Sequence, residues 1–167
     1  MNSPKENNTD KAYNLAFEYD RKYGSCPQAV LRAIQEVFGL KMDDLIKAGH
    51  ALAGGGGLSG YGTCGALVGG IMALSYMNGR GCEDMDKGTF IKSYKLAKRL
   101  YDRFVKEFGS CICRDVQEKI MGKAYNLWSS EEFKEFEEAG GHTDKCPDVA
   151  GKVARWVAEI FEQSRKE

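Results

Sequence analysis

The chain has no excess of charge of either sign. Its 24 basic side chains are matched by 24 acidic ones, and the formal net charge is zero. Nucleic acid and acidic membrane surfaces are approached through a basic field, so neither is expected as the main partner. No apolar run is long enough to span a bilayer. The most apolar stretch, Ala66 to Met77, is too short and too rich in glycine, and no membrane insertion is expected. Met1 to Asn8 is polar and lacks the apolar core of a secretory signal, which makes a cytoplasmic protein the expectation. Strand-like alternation is missing. So is a C-x-x-C pair, which argues against thioredoxin-like exchange. No Ser/His/Asp set or paired carboxylates stand out, so hydrolytic and glycosidic chemistry is unsupported.

What is present reads as one domain. At 167 residues the chain can bury a real core, and 43% hydrophobic with 29% charged residues is ordinary for a globular protein. With no repeat and no splitting linker, a single domain is expected over residues 9–163, between a disordered tail at 1–8 and a frayed end at 164–167.

Helical periodicity dominates. Ala29, Val30, Ala33, Ile34, Val37 and Phe38 form one stripe, closed by Gly39. Phe90, Tyr94, Ala97, Tyr101, Phe104 and Phe108 form a second, closed by Gly109, and Val149, Val153, Trp156, Val157, Ile160 and Phe161 a third. Weaker helices are expected over 11–22 (capped by Thr9 or Asp10), 43–53 (capped by Asp43), 63–77 and 115–121. Ser129-Ser130-Glu131-Glu132 has capping-box spacing and opens a helix ending at Gly140-Gly141. Its run of glutamates reads as a solvated face. The predicted fold is all-α, a compact array of seven or eight helices, with 63–77 as the candidate central helix.

Four of the six cysteines fall where helices are expected to begin: Cys26, Cys64, Cys113 and Cys146. Free N–H groups and the positive dipole end favour thiolates there, so lowered pKa values are expected. In a reducing compartment such cysteines are more often metal ligands or redox groups than structural disulfides. Cys82, in a Gly-rich turn, reads as an incidental loop thiol.

The run Gly54 to Gly62 contains Gly55, Gly57 and Gly60 in G-x-G-x-x-G spacing, but a helix rather than a strand precedes it and no Gly-Lys-Ser/Thr follows. A nucleotide site is therefore a weak reading. The run instead delivers Cys64 to the first turn of a helix, with Thr63 as the expected N-cap. Gly65, Gly69 and Ala73 lie four apart along that helix. Such a seam lets another helix pack closely, or lets backbone around Gly62, Thr63 and Gly65 reach a bound sulfur or anion.

Cys26 in Ser25-Cys26-Pro27-Gln28-Ala29-Val30, the block Gly62-Thr63-Cys64-Gly65-Ala66-Leu67-Val68-Gly69, Cys113 after Phe108-Gly109-Ser110, and Cys146 in Lys145-Cys146-Pro147 follow one another in an order that resembles the C_GCAxxG_C_C family. The likeness covers roughly Lys11 to Phe161. It implies a redox-active protein whose site is Cys26, Cys64, Cys113 and Cys146, without implying a particular reaction. Cys111 is an extra, and whether Cys111 or Cys113 is the working thiol stays open.

Three chemistries compete. An iron–sulfur or related metal centre held by the four cysteines, used for electron transfer or sensing, ranks first, although their scattered spacing is unlike the clustered runs of ferredoxins. A metal-free dithiol/disulfide protein ranks second, with Cys26 and Cys64, or Cys113 and Cys146, as candidate partners. A structural zinc site in an interaction module ranks third. A redox partner protein or small molecule is expected, and a homodimer stays open. His142 is read as a loop histidine before a ligand or a donor, and His50 as a structural one. Arg114 is read as a surface ion-pair former before a thiolate stabiliser. For Tyr61, core packing and a shield over the site are equal readings.

Overall fold

The computed structural model describes residues 7–166. The tail expected at 1–8 lies largely outside the described residues, as does Glu167. Asn7 and Asn8 lie inside, as the cap and the first residue of the first helix.

Among the described residues eight α-helices follow in order: α1 (Asn8–Tyr23), α2 (Cys26–Phe38), α3 (Asp43–Gly49), α4 (Gly65–Asn78), α5 (Ile91–Phe108), α6 (Cys113–Met121), α7 (Ser130–Glu138) and α8 (Cys146–Ser164). Single 3-10 turns occupy His50–Leu52 and Cys82–Asp84, and a π-turn, Gly141–Lys145, runs straight into α8. Among the described residues there is no strand. An isolated antiparallel bridge pairs Thr63 with Ile112. The fold is all-α, and among the described residues no helix is long and apolar enough to cross a membrane.

The caps explain the boundaries. Asn7 caps α1 by accepting the Asp10 N–H at 2.8 Å, earlier than the expected Thr9 or Asp10. The run Asn7-Asn8-Thr9-Asp10 offers several competent caps, and sequence alone does not choose among them. Ser129 caps α7 as its spacing predicts, accepting from the Glu132 N–H. The Glu132 carboxylate turns away from the return bond of a capping box and accepts the Asn126 N–H.

The core is built on α8, which packs on α1, α2, α4 and α5 and buries Val149, Val153, Trp156, Val157 and Ile160. The apolar α4 packs on α2, α5 and α8, so it shares the centre rather than holding it alone. The stripe expected on α5 is rotated. The buried positions are Leu96, Leu100, Phe104 and Phe108, while Tyr94 is 65% exposed and Tyr101 is 37% exposed. Two overlapping stripes compete on this helix. The leucines, which carry no polar tip, take the core, and the tyrosines keep their hydroxyls in water.

Candidate functional site

Each of the four cysteines is delivered by a different piece of local chemistry. Cys26 opens α2, directly after the sharp turn at Gly24 that closes α1. The N-terminus of α2 lies on the seam of α4. A Cβ on Gly65 would come within 2.6 Å of the Cys26 sulfur, and one on Gly69 within 2.7 Å of the Pro27 carbonyl oxygen. The two glycines are what allow Cys26-Pro27 to sit against the start of α4, beside Cys64.

Cys64 and Cys113 are joined by backbone. The Cys64 N–H donates to the Cys111 carbonyl at 2.7 Å, Cys113 N–H to the Gly62 carbonyl at 2.9 Å, and Arg114 N–H to the Gly60 carbonyl at 2.9 Å. The glycine run reaches this register by taking positive φ at Gly54, Gly55, Gly56, Gly57 and Gly60. Cys64 is itself the N-cap of α4, one residue beyond the expected Thr63, which instead pairs with Ile112. Cys146 opens α8, but the π-turn precedes it, and its N–H already donates to the Gly141 carbonyl.

These four cysteines line one cavity of about 50 Å³. Asp20, Gln117, His142 and the apolar side chains of Val116, Leu127, Phe136 and Val149 complete most of its wall, and no lysine or arginine is among the lining residues. Gln117 is buried and ties the wall together. Its amide nitrogen lies 3.6 Å from the Cys113 sulfur, and its oxygen accepts the Tyr125 N–H at 2.9 Å. Among the described residues, no three His, Cys, Asp or Glu side chains are grouped so that they could hold a single metal ion as they stand.

The thiols do not have the lowered pKa values expected of helix starts. Burial pushes Cys26 and Cys146 well up, reinforced by the nearby Asp20 carboxylate and the neighbouring thiols. Burial and Cys113 push Cys64 up to about 12, and the N–H groups of Ala66 and Leu67 pull back only part of that. Burial also raises Cys113, against the opposing Gln117 amide. Desolvation of a thiolate in a dry wall outweighs the dipole, and the first-turn donors of α6 and α8 are already committed to carbonyls. Asp20 itself rises to about 6, chiefly by burial.

Other residues singled out by sequence are distributed as follows. Gly62, Thr63 and Gly65 build the scaffold around the cavity rather than its wall, where Gly54 and Ala66 stand. Cys111 is outside the wall, half-buried, with its sulfur 3.5 Å from the Tyr101 hydroxyl, so Cys113 is the member of that pair that reaches the cavity. Cys82 is exposed. His142 lines the cavity, against its reading as a loop histidine, whereas His50 is exposed and pairs with Gln28. Tyr61 is 72% exposed and stacks under Arg114, whose guanidinium also reaches Glu118 at 3.7 Å. Asp20 and Gln117 were not singled out by sequence. Each is one polar residue among many on an amphipathic helix, and only the fold shows which way it faces.

No curated protein and no solved structure matches the chain. The family model described as "Putative redox-active protein (C_GCAxxG_C_C)" matches residues 24–160, a span that contains all four cavity cysteines. The chain belongs to that family of redox-active proteins.

Proposed function

We propose that the protein is a redox component whose working centre is an iron–sulfur cluster held by Cys26, Cys64, Cys113 and Cys146. The observation that carries this reading is four thiols, from the starts of four separate helices, lining one cavity whose wall holds no lysine or arginine. Four cysteines are the usual donor set of both [2Fe–2S] and [4Fe–4S] clusters. A cluster spreads its thiolates over two or four irons, so it does not require three donors to meet at one point. Raised thiol pKa values fit this reading better than they fit a free nucleophile. A buried thiol stays protonated at neutral pH until a metal supplies the missing positive charge. When bound, such a group supplies one-electron transfer. The chain's part is to exclude water through Val116, Leu127, Phe136 and Val149, to hold the sulfurs on helix starts, and to direct the Gln117 amide at Cys113. A reducing compartment such as the cytoplasm suits six free cysteines, and the electron partner is another protein or a small molecule.

A second reading is favoured by the packing of the Cys26 sulfur directly against Gly65, next to Cys64. In a metal-free protein these two thiols would form a disulfide, releasing two protons and two electrons to an acceptor.

Anaerobic purification with iron, zinc and acid-labile sulfide analysis, beside a visible spectrum, separates the readings. Iron with sulfide and a charge-transfer band is expected. Serine at any one of the four cavity positions should weaken or abolish the band, and serine at Cys82 or Cys111 should leave it. A colourless, metal-free protein would replace the cluster with the dithiol reading, and stoichiometric zinc without iron would replace both.

A further inference from the structure

One face of α5 is exposed, apolar and basic at once. Ile91, Tyr94, Lys95, Lys98 and Tyr101 fall three or four residues apart, so they share one side of the helix over about 15 Å. With Ile71 of α4 they line an open groove of about 780 Å³. Ile91 and Tyr94 are more than half exposed there. Exposed apolar residues are ordinary when single, but a contiguous set rimmed by charge marks a contact surface.

The charge of the groove selects its occupant. Lys95, Lys98 and Arg99 stand on the wall, and no acidic side chain is among the lining residues. Helix α5 carries six basic side chains against two acidic ones, in a chain whose net charge is zero. The opposite excess sits on α7, with five glutamates against one lysine. A second copy laid α5 to α5 about a twofold axis brings lysine against lysine, and like charges across an interface cost affinity. Pairing α5 of one copy with α7 of the next gives an open array rather than a closed pair. An acidic face on a different protein meets neither obstacle.

The groove also ends beside the cysteine site. The Tyr101 hydroxyl lies 3.5 Å from the Cys111 sulfur, and the Cys111 carbonyl accepts the Cys64 N–H at 2.7 Å. A partner seated on Tyr101 is separated from a cavity cysteine by one side chain and one backbone hydrogen bond. We propose that this face of α5 docks an acidic one-electron carrier protein, which exchanges electrons with the cysteine centre past Tyr101 and Cys111. One electron leaves the reduced carrier and enters the oxidised centre, or the reverse. No bond forms or breaks, and no proton is required. The exchange rests on the cluster reading, whereas the docking does not.

The probe is a plant-type [2Fe–2S] ferredoxin, an acidic one-electron protein, titrated at low salt into the full nitrogen-15-labelled chain. Amides of residues 91–101 and of Ile71 should shift, and those of α7 should not. Lys95→Glu combined with Lys98→Glu should slow association about tenfold, the lower end for electrostatic steering, and the difference should fade at high salt. Tyr94→Ala leaves the charge unchanged and should weaken binding severalfold. In the iron-loaded chain, electron transfer from reduced ferredoxin should slow in both variants. Absent binding, shifts centred away from α5, or variants that bind like the wild type overturn the proposal. So does a chain that dimerises on its own through the same amides, which assigns the face to a second copy. Docking on α5 by a chain that takes up no iron supports the docking face and removes the cluster reading instead.

Discussion

A thiol at the start of a helix is drawn in two directions. The dipole and free N–H groups favour the thiolate, and burial opposes it. In this chain burial wins at all four cavity cysteines, and Asp20 deepens the effect at Cys26 and Cys146. The same balance makes stability depend on pH. Folding raises Asp20 from 3.8 to about 6, so the folded state holds that proton more tightly than the unfolded chain. The stability this contributes is fully present below about pH 4 and is lost as pH rises through 6. About two pKa units correspond to about 3 kcal/mol. The thiols act likewise at higher pH, with stability lost above pH 9 as Cys64 approaches its raised value. In the metal-free protein Asp20→Asn should therefore raise the urea midpoint at pH 8 and leave it nearly unchanged at pH 4. Urea titrations at the two pH values check this, and a variant less stable at pH 8 would contradict it.

At the scale of elements, the seam of α4 decides how the site closes. A Cβ at Gly69 would meet the Pro27 carbonyl oxygen at 2.7 Å and its Cα at 2.8 Å, backbone that has little room to move. At Gly65 it would meet the Cys26 sulfur at 2.6 Å and the Leu52 carbonyl oxygen at 3.1 Å. Gly65→Ala and Gly69→Ala should each lower stability by about 1–3 kcal/mol, the usual cost of overpacking. Gly81→Ala should be close to neutral, since that glycine has an ordinary negative φ and only the Asp84 carboxylate near it, at 3.6 Å. Thermal melts of the three variants measure the difference, and a neutral Gly69→Ala would contradict the close crossing. The seam was legible because small residues four apart on one helix carry one physical meaning. The cysteine positions were legible for a related reason, since prolines and closing glycines mark helix ends locally. The rotation of α5 was not, because Tyr94 and Tyr101 share its period with Leu96 and Leu100, and only the packing of α4 and α8 chooses between the stripes. Asp20 was illegible as a site residue for the same cause, whereas the spacing of His142 from Cys146 leaves a ligand or donor role as its second reading. Which side of α1 faces the starts of α2 and α8 is a tertiary fact with no local signature.

At the scale of the whole molecule, the cavity lies between a well-packed part and a lightly held one. Helices α1, α2, α4, α5 and α8 pack extensively on one another, whereas α6 and α7 meet other helical elements chiefly through the π-turn Gly141–Lys145. What holds α6 and the segment after it is the glycine run and the site itself. Cys113 and Arg114 donate to Gly62 and Gly60, Gln117 links Cys113 to Tyr125, and the Trp128 indole N–H donates to the Gly57 carbonyl at 2.9 Å. A centre bound by all four cysteines would add a strong bond from Cys113 to the packed helices, and ligand binding stabilises most the parts whose order it requires. In the metal-free protein, amides of residues 113–138 should exchange with deuterium faster than those of α2 and α8. Reconstitution with iron and sulfide should slow exchange mainly in that segment, and Cys113→Ser should remove the slowing there. Protection that rises equally along the chain, or only in α2 and α8, would mean that α6 is not fastened through Cys113.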